Sequence, residues 1–379
     1  MLSENQLLDL YRVDGEDGIL SPALLYYDEL IERNTRAAID VAGGADRLWP
    51  HVKSHKTARL IDMQRALGID RFKCATLCEA EMTASRGAGH VLLAYPLVGP
   101  NIDAYLDLAA RWPKTMFYAL EDSMLALKAL DAACGARQMT MNWLCDVNVG
   151  MDRTGVPADG LVRFIQDAAS LKSVRFMGLH CYDGQNHQTE PETRQRAVET
   201  VMAPVDAAKK ALTEAGIDVP IVISGGSPSY PCHAKAGDGF LSPGTVFLWD
   251  WGYMTNFPEL PFVPAGVILT RVISHPGKGL FTLDCGSKAI STDNPARGHL
   301  LGVPGAEMAF QSEEHWVWRM PAGREDERPP IGQAMYVVPM HICPTNALYD
   351  HAVIITDHHI AGRCAIAARH RLAPEGAII

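Results

Sequence analysis

At 379 residues the chain exceeds what one hydrophobic core of about 250 residues organises, so a large domain with a smaller companion is expected. A composition of 47% hydrophobic and 21% charged residues excludes a disordered chain, and a net charge of -10 with basic and acidic residues interspersed leaves no basic stripe for nucleic acid. The acidic start MLSENQLLDLYRVDGEDG lacks a signal-peptide layout, no run of about 18 uncharged apolar residues follows, and nine cysteines without a CxxC pair suit a reducing compartment; a cytoplasmic protein without membrane contact is expected.

In chain order, residues 1–22 form an N-terminal segment available to complete a later β domain. Short β-rich apolar runs then occur at Leu48 to Lys53, Arg71 to Leu77, His90 to Leu97, Thr115 to Leu120, Met139 to Val149, Val174 to Tyr182, Ile221 to Ser227 and Gly239 to Asp250. Between them TARLIDMQRALG, EAEMTASRGAG, NIDAYLDLAARW, SMLALKALDAACGAR, LVRFIQDAASL and TRQRAVETVMAPVDAAKKALTEAG carry apolar residues at helical spacing. Eight strands alternating with helices predict a (β/α)8 barrel over residues 23–253, the eighth interval being the shortest. After Tyr253 the texture changes to FVPAGVILTRVISHP, KGLFTLDCGSKAI, HWVWRM, AMYVVPMHIC and HAVIITDHHIAGRCAIA, which predicts a β domain over 254–379.

Five segments carry candidate chemistry. PHVKSHK ends the first barrel strand, the end that faces a barrel's active site, and alternation predicts His51, Lys53 and His55 on one face. Lys53 there suits a Schiff base with an aldehyde cofactor; the alternative is a basic strand end that binds an anion. ISGGSPSY offers Gly225 and Gly226 for close backbone approach to a phosphate and Ser227 and Ser229 as hydroxyls, with Gly244 and Thr245 of the next strand end completing the cradle. Arg153, bracketed by Gly150 and Gly155, is suited to a phenolate or carboxylate, or to a surface ion pair. In GLHCYDGQNH, His180 and Tyr182 share a face that can offer an acceptor to a pyridine nitrogen and a ring to stack on a cofactor, and His187 can move a proton; each equally suits packing. In MHICPTNALYD, strand alternation predicts His341 and Cys343 side by side as ligands of one ion, or else as a buried pair; Glu313, Glu314 and His315 read as a polar turn.

Taken in order, PHVKSHK, GMDRTG, SGGSPS with SPGT, and HIC followed by PT resemble the D-threonine aldolase and D-serine dehydratase group, the metal-dependent branch of alanine-racemase-type pyridoxal-phosphate enzymes. The likeness spans nearly the whole chain. It implies a pyridoxal-phosphate barrel followed by a β domain, a homodimer, Lys53 rather than Lys56 as the cofactor lysine, and a divalent zinc or manganese ion on His341 and Cys343. It further implies a lyase acting on D-configured β-hydroxy amino acids, by retro-aldol cleavage to glycine and an aldehyde or by elimination to a 2-oxo acid and ammonia. Many aldolases of the group carry HxD where this chain has the dehydratase-like HxC, whereas YDG, QSEEH and HICPT look more like the bacterial aldolase-like subgroup, so both reactions stay open. A racemase has no use for the metal pair, and a non-catalytic carrier of the cofactor has no use for the β domain.

Overall fold

A computed structural model of the chain describes residues 2–237 and 239–371 and divides into two compact units. The barrel unit is built mainly from Ala38–Lys53 and Leu60–Gly244; the β unit comprises Met1–Ala37, Ser54–Arg59 and Thr245–Arg369.

In the barrel unit the strands Arg71–Cys74, His90–Pro96, Met116–Glu121, Met141–Asn148, Val174–Cys181, Ile221–Ser224 and Phe240–Leu241 pair in that order, each parallel to the next. The segment from Leu48 to His51 closes the ring, Leu48 pairing with Leu241 and His51 with Lys73. Its backbone joins both neighbours, Trp49 N–H donating to Leu241 O at 2.7 Å and Lys73 N–H to Pro50 O at 2.8 Å. Seven of the eight expected strands are present, the last reduced to two residues, while the first, Leu48 to Lys53, takes part through isolated bridges alone. Trp49, Leu92, Tyr118, Leu120, Leu144, Ile221 and Ile223 pack together as the buried interior, while helices such as Pro100–Arg111, Met124–Ala136 and Pro191–Glu214 alternate with the strands. Continuous apolar runs suit strands covered on both faces.

The β unit holds a nine-stranded sheet. Its strand Ala23–Tyr27 lies between Gly266–Ser274, antiparallel with Ala23 opposite Leu269, and His351–Thr356, parallel with Leu25 opposite Val353. Ile268, Phe281, Trp316, Trp318, Met335 and Val337 form its core. The division therefore runs differently from the expected 1–22, 23–253 and 254–379: the N-terminal contribution extends past residue 22, because five consecutive buried residues, Ala23 to Tyr27, pair on both sides in this sheet. The later boundary falls at Thr245. The sheet also contains Gly298–Leu300 and the exposed Glu307–Gln311, which carry no alternating apolar signal. No helix among the described residues is long and apolar enough to cross a membrane.

Candidate active site

At the C-terminal ends of the barrel strands three cations converge on one aromatic ring. Arg153 Cζ lies 5.0 Å from the Tyr182 ring centroid, Lys73 Nζ 5.2 Å and Lys53 Nζ 5.8 Å. Each arrives for a local reason. The extended chain gives way at Val52–Ser54 to a single helical turn that carries Lys53, so strand alternation ends there and does not take His55 onto the same face. His55 is buried and accepts the Thr57 N–H. Arg153 projects from the turn after Met141–Asn148, where Gly155 at φ +109° passes so close to Asn148 that a Cβ would lie 2.4 Å from its N; only glycine fits.

Lys73 was not singled out from the sequence. It sits within the apolar strand Arg71–Cys74, is 2% exposed, and burial followed by repulsion from Lys53 pushes its amine down to about 7. A charge inside a strand buried on both faces was the available signal. Its Nζ lies 3.3 Å from His180 Nε2, while His180 Nδ1 lies 2.7 Å from Asp146 Oδ1 and Thr154 donates to Asp146 Oδ2 at 2.7 Å. Burial and Lys73 push His180 below its usual value; Asp146 stays below the carboxylate range despite burial because His180 and Thr154 favour its charge. Both imidazole nitrogens thus have protein partners, which leaves neither for the expected contact with a pyridine nitrogen. His187 is exposed in the segment after Val174–Cys181.

The glycine turn is built as a rigid unit. Gly225 has φ +84° and a Cβ there would meet Tyr230 Cα at 2.9 Å; at Gly226 it would meet Tyr182 at 3.2 Å. The Ser229 hydroxyl accepts the Gly226 N–H at 3.0 Å and donates to the buried Asp183 at 2.8 Å, and Asp183 also binds His233 at 2.9 Å. Ser227 accepts the Gly244 N–H at 3.3 Å. Ser229 therefore pins the turn, and Asp183 and His233, missed in the sequence, anchor it. A ring to lie against, cations for anionic oxygens and a glycine turn approached closely by Tyr182 fit an anionic aromatic cofactor.

In the β unit His341 and Cys343 are hydrogen-bonded neighbours, though not on a strand as expected. The strand Ala334–Pro339 has ended; His341 caps the short helix Ile342–Asn346, whose first N–H donates to the Asp250 carboxylate at 3.1 Å. Burial opposes its charge, but the Cys343 thiolate and Asp293 carboxylate lift His341 to about 9, with Asp293 2.5 Å from Nδ1. Burial likewise opposes the Cys343 thiolate, while His341, Ser54 and Thr245 hold it below the usual thiol range. The Thr245 hydroxyl lies 3.2 Å from Cys343 Sγ, an alternative to its expected place in a phosphate cradle. Among the described residues no group of three or more His, Cys, Asp or Glu is placed to hold an ion. The pair still fits one in donor chemistry: an imidazole backed by a carboxylate, beside a thiolate.

The model of the alanine racemase N-terminal domain matches residues 29–247 and that of the putative serine dehydratase domain residues 265–355. The chain is 29% identical to a D-threonine aldolase of Arthrobacter over 92% of each chain. It is 25% identical to a D-threo-3-hydroxyaspartate dehydratase of Delftia over 80% of this chain and 85% of the relative. The crystal structure of D-threonine aldolase from Filomicrobium marinum superposes with a TM-score of 0.86 at 26% identity, covering 93% of this chain and 96% of that one.

Proposed function

From the premise that the chain belongs to the alanine racemase N-terminal domain family, we propose that it is a pyridoxal-phosphate-dependent lyase of D-configured β-hydroxy amino acids, releasing glycine and an aldehyde. The observation that carries this reading is the convergence of Lys53, Lys73 and Arg153 on Tyr182. The aldolase relatives, which match over nearly their whole length, support the choice of reaction.

Lys53 would hold the cofactor aldehyde, Tyr182 would lie against the ring, Arg153 would meet an anionic oxygen, and Gly225, Gly226, Ser227 and Gly244 would surround the phosphate. When bound, this cofactor stores the electron pair left at Cα by bond cleavage, and a divalent ion on His341 and Cys343 would act as a Lewis acid toward a hydroxyl oxygen. The protein's own contribution is orientation and proton handling. Asp293 holds the His341 ring through Nδ1, and the Ser54 and Thr245 hydroxyls support the Cys343 thiolate. His187 is the proposed acceptor of the β-hydroxyl proton. The reading includes a homodimer, to be measured by sedimentation.

A second reading is a dehydratase, favoured by the thiolate at Cys343. In that case Lys53 Nζ takes the α-proton and the hydroxyl leaves with a proton as water; the enamine released is then hydrolysed by water to a 2-oxo acid and ammonia. The test is to load the protein with pyridoxal phosphate and zinc or manganese, add D-threonine, and assay glycine with acetaldehyde against 2-oxobutanoate with ammonia. Glycine and acetaldehyde are expected, lost in Lys53→Ala together with the visible band of the bound cofactor. The 2-oxo acid would replace the first reading by the second, and absence of both products would overturn the lyase.

A further inference from the structure

Lys73 is buried, and the two carboxylates that favour its charge, Asp146 and Asp183, make no hydrogen bond to it. An ammonium has three N–H donors, and among the described residues His180 Nε2, at 3.3 Å, is its one hydrogen-bond partner. That partner is itself held. Asp146 occupies Nδ1 at 2.7 Å, so the proton of the neutral imidazole sits on Nδ1 and Nε2 is an acceptor. Asp146, the carboxylate in this row, spends its other oxygen on Thr154 at 2.7 Å. Meanwhile Lys73 stands by the same Tyr182 ring as Lys53 and Arg153, at 5.2, 5.8 and 5.0 Å from the ring centroid. Lys53 and Arg153 both repel the charge of the buried Lys73.

We infer that Lys73 is an anion-binding residue of the barrel mouth, whose remaining N–H donors take an anionic oxygen of the molecule bound against Tyr182. This rests on the reading of the mouth as a pyridoxal-phosphate site. The Asp146–His180 pair acts as the positioning element: it sets the imidazole tautomer that accepts from Lys73 and so directs the two free donors. The oxygen is of the phenolate or carboxylate kind and has two sources, the ring oxygen of the cofactor and the carboxylate of the amino acid. The downward push on the Lys73 amine agrees with a group that waits for a counter-charge.

The experiment uses the full chain and 4-deoxypyridoxine 5′-phosphate, which keeps the ring oxygen and phosphate but has no aldehyde for Lys53, so that binding is read without the covalent bond. Its Kd is measured by protein fluorescence for the unmodified chain, Lys73→Met and Lys73→Arg, with near-ultraviolet circular dichroism confirming the fold of each. Lys73→Met is expected to raise Kd by about ten- to a hundredfold, the loss of one hydrogen bond to a charged group, while Lys73→Arg stays close to the unmodified chain. If the analogue binds Lys73→Met unchanged but D-threonine binds the pyridoxal-phosphate-loaded variant about tenfold more weakly, read from the cofactor spectrum, the inference stands with the carboxylate as the source. Unchanged affinity for both ligands overturns it and leaves the functional reading intact. A chain that binds neither the analogue nor pyridoxal phosphate overturns the functional reading, and the anion site falls with it.

Discussion

Lys73 shows what a functional charge costs a fold. Taking an ammonium out of water is penalised by several kcal/mol, which a neutral imidazole and the carboxylates Asp146 and Asp183 return only in part. The sign follows from linkage. Below about pH 7 the lysine is charged in both folded and unfolded chains and the folded state bears the whole penalty. Between about 7 and the ordinary 10.5 the unfolded chain holds a proton that the folded one has shed, so this residue makes stability rise with pH across that window. Lys73→Met is therefore expected to stabilise the cofactor-free protein by a few kcal/mol near pH 6, with the gain shrinking toward pH 10, as denaturant melts at both pH values would measure. A gain independent of pH would mean that the methionine acts through packing alone. Lys53 differs from it in burial, being half-buried on a helical turn.

Among elements, the turn after Ile221–Ser224 owes its shape to backbone that only glycine adopts. Gly225 combines φ +84° with backbone 2.9 Å from a would-be Cβ, whereas Gly216, also at positive φ, has open space around it. Gly225→Ala is expected to cost about 1–3 kcal/mol and to weaken cofactor uptake, while Gly216→Ala costs about 1 kcal/mol and leaves uptake unchanged. Thermal melts and fluorescence titration with pyridoxal phosphate separate the two. Equal behaviour of the variants would reduce the Gly225 effect to φ strain alone. The short helix after Ala334–Pro339 makes a parallel point: a strand was expected through HIC, but His341 caps a helix whose first N–H goes to Asp250, 92 residues earlier in the chain. Alternation along HIC could not disclose that partner.

The whole molecule is interleaved, because the β unit draws on both ends of the chain and encloses the first strand within its sheet. Removing residues 1–27 would open edges on Gly266–Ser274 and His351–Thr356 at once. Such a truncated protein is expected to lose cooperative melting and near-ultraviolet circular dichroism, or to aggregate; a cooperatively melting product would show the strand to be dispensable. The sequence led one to expect an N-terminal segment joining the β domain, but where that segment ends is set by long-range pairing, which carries it past residue 22 through Ala23–Tyr27.

Apolar runs and helical spacing were enough to place the barrel's strands in order and a following β region, since periodicity belongs to neighbouring residues. The motifs likewise placed Lys53, Arg153 and Tyr182 in segments that the fold brings to one ring, because strand ends of a barrel share a face. The tertiary structure alone decided that Lys73 meets His180 across 107 positions, that Asp146 holds the imidazole, and that Asp293 backs His341 from 48 positions away. These are pairings between side chains on separate elements, set by barrel closure and sheet register, and no local pattern encodes them.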